Sequence, residues 1–258
     1  MVRECDGKDG KGRYRMAQQA RAVETRRLIL QGAALVFDEL GYDAASIKEI
    51  LSRVSVTKGA LYFHFPSKAD LARGVLEEQT LQLHLLPQGS KLQEVVDVAM
   101  AIAHDLPSNP MLRAGSRLAL ERGSVDFAAQ SPFLAWAKVV EELLEQAKRD
   151  GEALPHVDCR ETAELIVGSF TGIQAYSQVS SGLRDLEKRV SAMWRHILPS
   201  IAVPAALARI DSGPDRGARL AAEAAARAAA QDAAPDGDGD GAPEHARAEP
   251  AVRGRAAG

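Results

Sequence analysis

The chain has 258 residues, enough for one or two domains with a sizeable core. Hydrophobic residues make up 46%, a normal globular fraction, and the formal net charge of −3 excludes a polycation. No apolar run approaches the roughly 18 residues of a membrane span, and the polar start Met1-Val2-Arg3-Glu4-Cys5-Asp6-Gly7-Lys8 has no apolar core for a signal peptide. Cys5 and Cys159 are the only cysteines. They lie far apart with no CxxC, which fits a reducing cytoplasm. Residues 1–68 hold twelve Lys and Arg against eight Asp and Glu, leaving the remainder at −7. A mildly basic head on an acidic body suits local contact with DNA better than nonspecific coating.

In chain order, residues 1–15 are polar, Gly-rich and unpatterned, and read as disordered; Met16 is an alternative start. From Glu24, Ile29, Ala33, Phe37 and Leu40 recur on one helical face, and Gly41 sits where a C′ glycine ends a helix. Ser46 with Glu49 has the spacing of a capping box and opens a second helix with Ile47, Ile50, Leu51 and Val54 inward. Ser55-Val56 is a turn, and Thr57 caps a short third helix over Lys58 to about His64. Ser67 with Asp70 opens a fourth, running to about Leu85, and Pro87-Gln88-Gly89-Ser90 breaks the pattern.

Further helical periods cover about Leu92–His104, Met111–Glu121, Pro132–Arg149, Arg160–Ser180 and Leu183–Leu198. Ser131-Pro132 reads as a cap with a first-turn proline, Gly151 as a stop, Asp158 with Glu161 as a start and Pro199 as a stop. A short helix over Pro204 to about Ile210 is also expected. No strand pattern stands out, so the fold class is all-α. Beyond about Ser212 the chain turns to Ala, Gly, Asp, Pro and Arg. Alanine favours a marginal helix over Leu220 to Gln231, but it has little to bury, so the tail reads as mostly disordered and dispensable for DNA binding.

The informative stretch is Val56-Thr57-Lys58-Gly59-Ala60-Leu61-Tyr62-Phe63-His64-Phe65, followed by Pro66-Ser67-Lys68. Two capped helices and a short turn precede it, the order of a helix-turn-helix, whose last helix must enter a major groove about 12 Å wide. Gly59 and Ala60 keep its start slim. Thr57 and Tyr62 offer hydroxyls. Lys58 and Lys68 sit in the first turns of successive helices, where ammonium groups and free backbone N–H groups hold phosphates. Arg21, Arg26 and Arg27 add cations at the start of the first helix. Leu61 and Phe65 face inward. His64 and the aromatic residues, taken one by one, are more often packing residues than readers; the assembly as a whole brings His64 into the contact set.

Glu24 to about Glu77 resembles the DNA-binding domain of TetR-family repressors. The likeness extends further: Gly59-Ala60-Leu61-Tyr62-Phe63-His64-Phe65 with Ser67-Lys68-Ala69-Asp70-Leu71-Ala72, Arg113-Ala114-Gly115-Ser116-Arg117-Leu118, Pro132-Phe133-Leu134-Ala135-Trp136, Gly168-Ser169-Phe170-Thr171-Gly172-Ile173-Gln174 and His196-Ile197-Leu198-Pro199-Ser200-Ile201 are similar to the γ-butyrolactone autoregulator receptors. These blocks span about residues 16–217. The resemblance implies an all-helical, TetR-like homodimer. Its N-terminal helix-turn-helix domain of three helices binds a double-stranded DNA operator, and its C-terminal domain binds a small γ-butyrolactone-like signal and dimerises, with no cofactor, metal or membrane.

The corresponding division is 1–20 as a disordered extension, 21–70 as the DNA-binding domain, 71–211 as the ligand-binding and dimerisation domain, and 212–258 as a disordered tail. The resemblance places dimer contact on the last two long helices, where Ala163, Gly168, Ser169, Gly172 and Ala175 allow close approach. It sets Trp136 against the ligand and matches Gln79 to a polar pocket residue. Ser169 or Thr171 supplies a second hydrogen bond, with the choice open. The rival readings are a pseudo-receptor answering to an antibiotic or biosynthetic intermediate, a ligand-free architectural DNA binder, and an enzyme. The six histidines form no i,i+4 metal pair or zinc signature, and no GxSxG, P-loop or GxGxxG is present.

Overall fold

The computed structural model describes residues 7–81, 88–121 and 131–232. Eleven helices follow one another among them: α1 (Gly7–Ala44), α2 (Ile47–Ser52), α3 (Lys58–His64), α4 (Lys68–Leu81), α5 (Lys91–Asp105), α6 (Pro110–Leu120), α7 (Pro132–Arg149), α8 (Cys159–Ser181), α9 (Leu186–Ile201), α10 (Pro204–Leu207) and α11 (Arg216–Asp232). No strand forms among the described residues, and an isolated bridge joins Ala153 to Ala202.

The caps act as their spacing suggests. The Ser46 hydroxyl accepts from the Glu49 N–H at 3.2 Å, and the Glu49 carboxylate accepts from the Ser46 N–H at 3.1 Å, a reciprocal capping box. Asp158 accepts from the Glu161 N–H at 2.9 Å. Ser131 occupies the cap of α7 but makes no side-chain cap bond, leaving Pro132 to start that helix. Gly41 breaks the helical path of α1 with φ 76° and ψ 179°, which suits a residue without a Cβ. Its bare face also admits the Glu121 carboxylate, and the next residue, Tyr42, donates its N–H to Glu121 Oε2 at 2.8 Å.

Several boundaries differ from those expected. The helical path of α1 already covers residues 7–20, assigned to a disordered extension; the Ala- and Gln-containing run after Met16 favours helix even where it is exposed. Pro199 lies inside α9, which continues to Ile201, because a proline in a last turn forfeits only one backbone bond. The largest correction concerns the tail. Helix α11 packs on α5, with Leu220 buried and the Arg216 guanidinium bonded to both oxygens of Asp97 at 2.8 and 2.6 Å. Asp97 is 3% exposed, and the hydrogen bonds it accepts, with its charge behind them, hold the Arg216 pKa above the ordinary arginine value. The Gln93 side chain secures the approach to α11, accepting from the Asp211 N–H and donating to its carbonyl. A large apolar surface was therefore not required; a buried charge supplied the anchor. Residues 1–6, residues 82–85 of the expected fourth helix, Pro87, and the tail beyond Asp232 lie outside the described residues.

Two buried clusters organise the molecule. The N-terminal one gathers Ile29, Phe37, Ile50, Leu61, Leu71 and Leu76 from α1 to α4. It also takes in Met111, Ala114 and Leu118 of α6, so the head is not closed by its own helices alone. The larger cluster lies among α5, α7, α8 and α9 around the fully buried Trp194. The α8–α9 corner is held by Asp185, which accepts from Ser177 at 2.6 Å and Ser181 at 2.7 Å and pairs with Arg189. Arg189, then the two hydroxyls, hold the Asp185 carboxyl well below the usual carboxylate range.

Breaking one side of a buried ion pair strands the other charge, at a cost of about 3 kcal/mol or roughly 6–12 °C in Tm. Arg216→Ala should show a loss of that size, and truncation after Ser212 at least as much, in thermal denaturation followed by circular dichroism. An unchanged Tm in both would return α11 to the status of a dispensable tail.

Candidate functional site

Two sites emerge, one at each end of α4. The first is the outer face of α3. Thr57 caps the helix by accepting from the Ala60 N–H at 3.2 Å, which orients its free backbone N–H groups outward. Leu61 is fully buried and Phe65 is 4% exposed, so this i,i+4 pair docks the helix on the head. The opposite side is open. Thr57, Lys58, Gly59 and Tyr62 are exposed, Ala60 and His64 are half-buried, and nothing stands within 4 Å of where a Gly59 Cβ would be. The Lys58 ammonium lies 5.8 Å from the Tyr62 ring centroid, on the same edge.

The surrounding cations divide. Arg21 is exposed on α1. Arg26 stands 5.4 Å from the Phe65 ring and 3.7 Å from Glu78, and Arg27 pairs with Glu24 at 2.6 Å. Lys68 does not turn its ammonium outward as a phosphate ligand. It donates to the carbonyls of Tyr42 at 2.8 Å, Ala45 at 2.9 Å and Asp43 at 3.4 Å, and lies 4.3 Å from the Tyr42 ring centroid. Carbonyls at the end of α1 attract a cation more strongly than solvent does at this half-buried position. Phe63 went unrecognised as a surface feature; it is 82% exposed beside His64, at 5.2 Å between ring centroids. The signal was available, since Leu61 and Phe65 inward leave position 63 about 200° round the helix from Leu61.

The second site is a narrow, mostly apolar cavity of about 40 Å³ between α4, α5, α6, α7 and α8. Val98, Ile102, Phe133 and Phe170 give its apolar walls, and Trp136 lies in the wall from α7. Gln79 enters from α4. It is 4% exposed, and its Oε1 has no hydrogen-bond partner among the described residues. Thr171 lines the cavity from α8; its hydroxyl donates to the Val167 carbonyl at 2.8 Å, leaving it an acceptor for anything bound. Gln79, Trp136 and Thr171 are thus brought together.

Ser169 is not. Two residues from Thr171 on a helix, it falls on the opposite side, in a shallow groove with Ile173, Tyr176, Met193 and His196 between α8 and α9. Ser116 of α6 and Gln174 of α8 are polar wall residues that sequence reasoning passed over. Of the small residues assigned to helix approach, Gly168 and Gly172 face open space, whereas Ala163 is buried in the large core and Ala175 lines a cleft against α6. Among the described residues no cluster of three or more His, Cys, Asp or Glu could hold a metal, and no helix is long and apolar enough to cross a membrane. Burial pushes the Cys159 thiol pKa up, away from a reactive thiolate.

Comparison with known proteins agrees with both halves. Residues 29–75 match the bacterial regulatory proteins of the tetR family, and residues 89–204 match the tetracyclin repressor-like C-terminal domain. The chain is 47% identical over 195 residues to the A-factor receptor protein of Streptomyces griseus, covering 76% of this chain and 70% of that protein. Its fold is similar to the crystal structure of full-length TylP, a TetR regulator from Streptomyces fradiae, with a TM-score of 0.73 and 43% identity over 81% of this chain and 94% of that one. It also resembles a γ-butyrolactone receptor described as ArpA-like, with a TM-score of 0.62 and 31% identity over 79% of this chain and 99% of the other. The protein belongs to the TetR family of bacterial transcriptional regulators, on the branch of the γ-butyrolactone receptors.

Proposed function

We propose that this regulator works as a homodimeric repressor that holds a near-palindromic operator and releases it when a small, neutral γ-butyrolactone-type signal enters the cavity, so controlling secondary-metabolite genes. The observation that carries the reading is the place of Gln79. It is a buried amide with an unpartnered oxygen in an apolar cavity, on the same helix whose first residue, Lys68, follows α3 by four residues and is fastened to the end of α1. A buried acceptor without a donor is costly in a closed protein and useful in a site that awaits a ligand. Trp136 supplies a flat apolar surface for a lactone ring, and Thr171 an acceptor.

On DNA, α3 lies in the major groove. Tyr62 and Thr57 reach base edges or sugar-phosphate, Lys58 meets a phosphate, and Gly59 and Ala60 let the backbone close in. Phe63 is placed to cover a thymine methyl or a sugar. Two copies pair through α8 and α9, where Val179 is 91% exposed and Leu165 and Tyr176 are also outward, an apolar strip that a twofold-related copy would cover. Paired recognition helices must stand about 34–36 Å apart to meet two half-sites. A ligand that favours a different tilt of α4 disturbs that spacing, and it shifts the equilibrium only by its differential affinity for the two states.

The test is a binding titration on the promoter fragment beside this gene, with and without a panel of synthetic γ-butyrolactones. Release by one lactone at nanomolar concentration, abolished in Trp136→Ala with operator binding intact, is the expected result. Binding that no lactone disturbs would keep the repressor and assign the cavity to a pseudo-receptor's antibiotic or intermediate. Tyr62→Ala should weaken specific binding by about tenfold or more, as for loss of one good contact of ~1–3 kcal/mol, with Tm unchanged; normal affinity would remove Tyr62 from the contact set. Lys58→Ala should weaken binding to all sequences and flatten the slope of log affinity against log salt by about one unit. An unchanged slope would mean that Lys58 misses the phosphate.

A further inference from the structure

The Gln79 amide does more than line the cavity. It crosses from α4 and lies flat on the bare backbone of α6 at Gly115. A Cβ on residue 115 would stand 1.5 Å from Gln79 Oε1, 2.5 Å from its Cδ and 3.4 Å from its Cβ. Those distances leave no room for any side chain at 115 while Gln79 keeps its place. Gln79 is nine-tenths buried, so its amide cannot simply swing into solvent.

Both helices in this contact also belong to the head. Leu71, Val75 and Leu76 of α4, and Ala114 and Leu118 of α6, are buried in the N-terminal cluster. Gly115 is therefore the point where two helices that carry the DNA-binding head touch through a side chain that also faces the cavity. The amide oxygen at this point has no donor among the described residues. The group that can improve its position is a ligand hydroxyl, because a hydroxyl donates while a ketone or ester carbonyl does not.

We propose that Gly115 is the seat of the Gln79 amide and that the ligand acts by donating a hydroxyl hydrogen bond that draws the amide off this seat, loosening α4 from α6. The proposal rests on the cavity being the ligand site. It assigns to Gly115 a positioning role, one that touches neither ligand nor DNA. It also requires the effector to carry a free hydroxyl within reach of α4. A Cβ at 115 would do by crowding what the ligand does by attraction.

The experiment is a double-mutant cycle on the full chain, with Gly115→Ala made in the wild-type and in the Gln79→Ala backgrounds. Two quantities are read: affinity for the promoter fragment without ligand, and the concentration of a hydroxyl-bearing γ-butyrolactone that releases half of it. In the wild-type background, Gly115→Ala should weaken ligand-free operator binding by about tenfold and, because it already biases the protein toward the state the ligand favours, lower the half-release concentration by a similar factor. In the Gln79→Ala background, where the seat is empty, the same step should change operator affinity less than twofold. Equal effects in both backgrounds would make Gly115 a merely structural glycine and overturn the proposal.

Folding is read alongside by thermal melting. A Gly115→Ala variant that unfolds while the double variant folds supports the crowding; a double variant that also unfolds places the clash elsewhere and overturns it. O-methylation of the lactone's hydroxyl is the third arm. Methylation that costs tenfold or more in wild type but nothing in Gln79→Ala is expected, and an equal cost in both would overturn the hydrogen bond to Gln79. Should no lactone release the wild type, the lactone reading fails, and the ligand-free arm still decides whether Gly115 is the seat.

Discussion

The structure depends on the pinning of α6 to the end of α1. Arg113 sets its Nε and Nη2 on Asp38 Oδ2 at 2.9 and 2.8 Å, and its Nη1 on the carbonyls of Leu106 and Pro107 at 3.1 and 2.7 Å. One turn on, Arg117 donates to the Asp38 carbonyl at 2.7 Å and to Glu121 at 2.7 Å, and Glu121 in turn accepts from Tyr42. Forked guanidinium bonds fix direction as well as distance. With α6 held in this way, Met111, Ala114 and Leu118 complete the head's core, while Gly115 and Ser116, about 100° round the same helix, turn to Gln79 and the cavity. Head and cavity share a helix and cannot rearrange independently.

Helix α4 makes the second connection. Lys68 at its start satisfies three carbonyls at the end of α1, and Gln79 near its other end is about 16 Å further along the axis at 1.5 Å per residue. Between them Leu71, Ala72, Val75 and Leu76 are fully buried against the head. A rod fastened at one end and touching a cavity at the other converts a small displacement into a tilt. Lys68 ties that end of the rod to the end of α1, four residues after α3 closes.

The cavity's far wall has its own support. Helix α5 presents Val98 and Ile102 to the cavity and Asp97 to Arg216 of α11. His104 on the same helix meets Glu187 of α9 at 2.9 Å. The wall is thus braced by polar contacts behind it while its inner face stays apolar. This arrangement separates the apolar face of the cavity from the charges that hold the helix in place.

Much of this was legible in the chain. Helix existence, the capping box at Ser46, the cap at Thr57 and the inward pair Leu61 and Phe65 follow from local rules, because caps and helical faces involve residues three or four apart. The choice between Ser169 and Thr171 was not legible. Both are hydroxyl residues on one helix, and only the packing of α8 between the cavity and its outer groove separates them. Lys68 looked like a phosphate ligand because its sequence neighbourhood shows the start of α4; the carbonyls that claim it come from residues 42, 43 and 45. The anchoring of α11 rests on Asp97, more than a hundred positions away from Arg216. The sequence by itself determined most of the helical segments, the start of α1 and α11 apart, and which of their faces are apolar. Only the tertiary structure decided where each polar side chain finds its partner, because a buried charge or amide is satisfied by whatever group the fold brings within about 3 Å, at any distance along the chain.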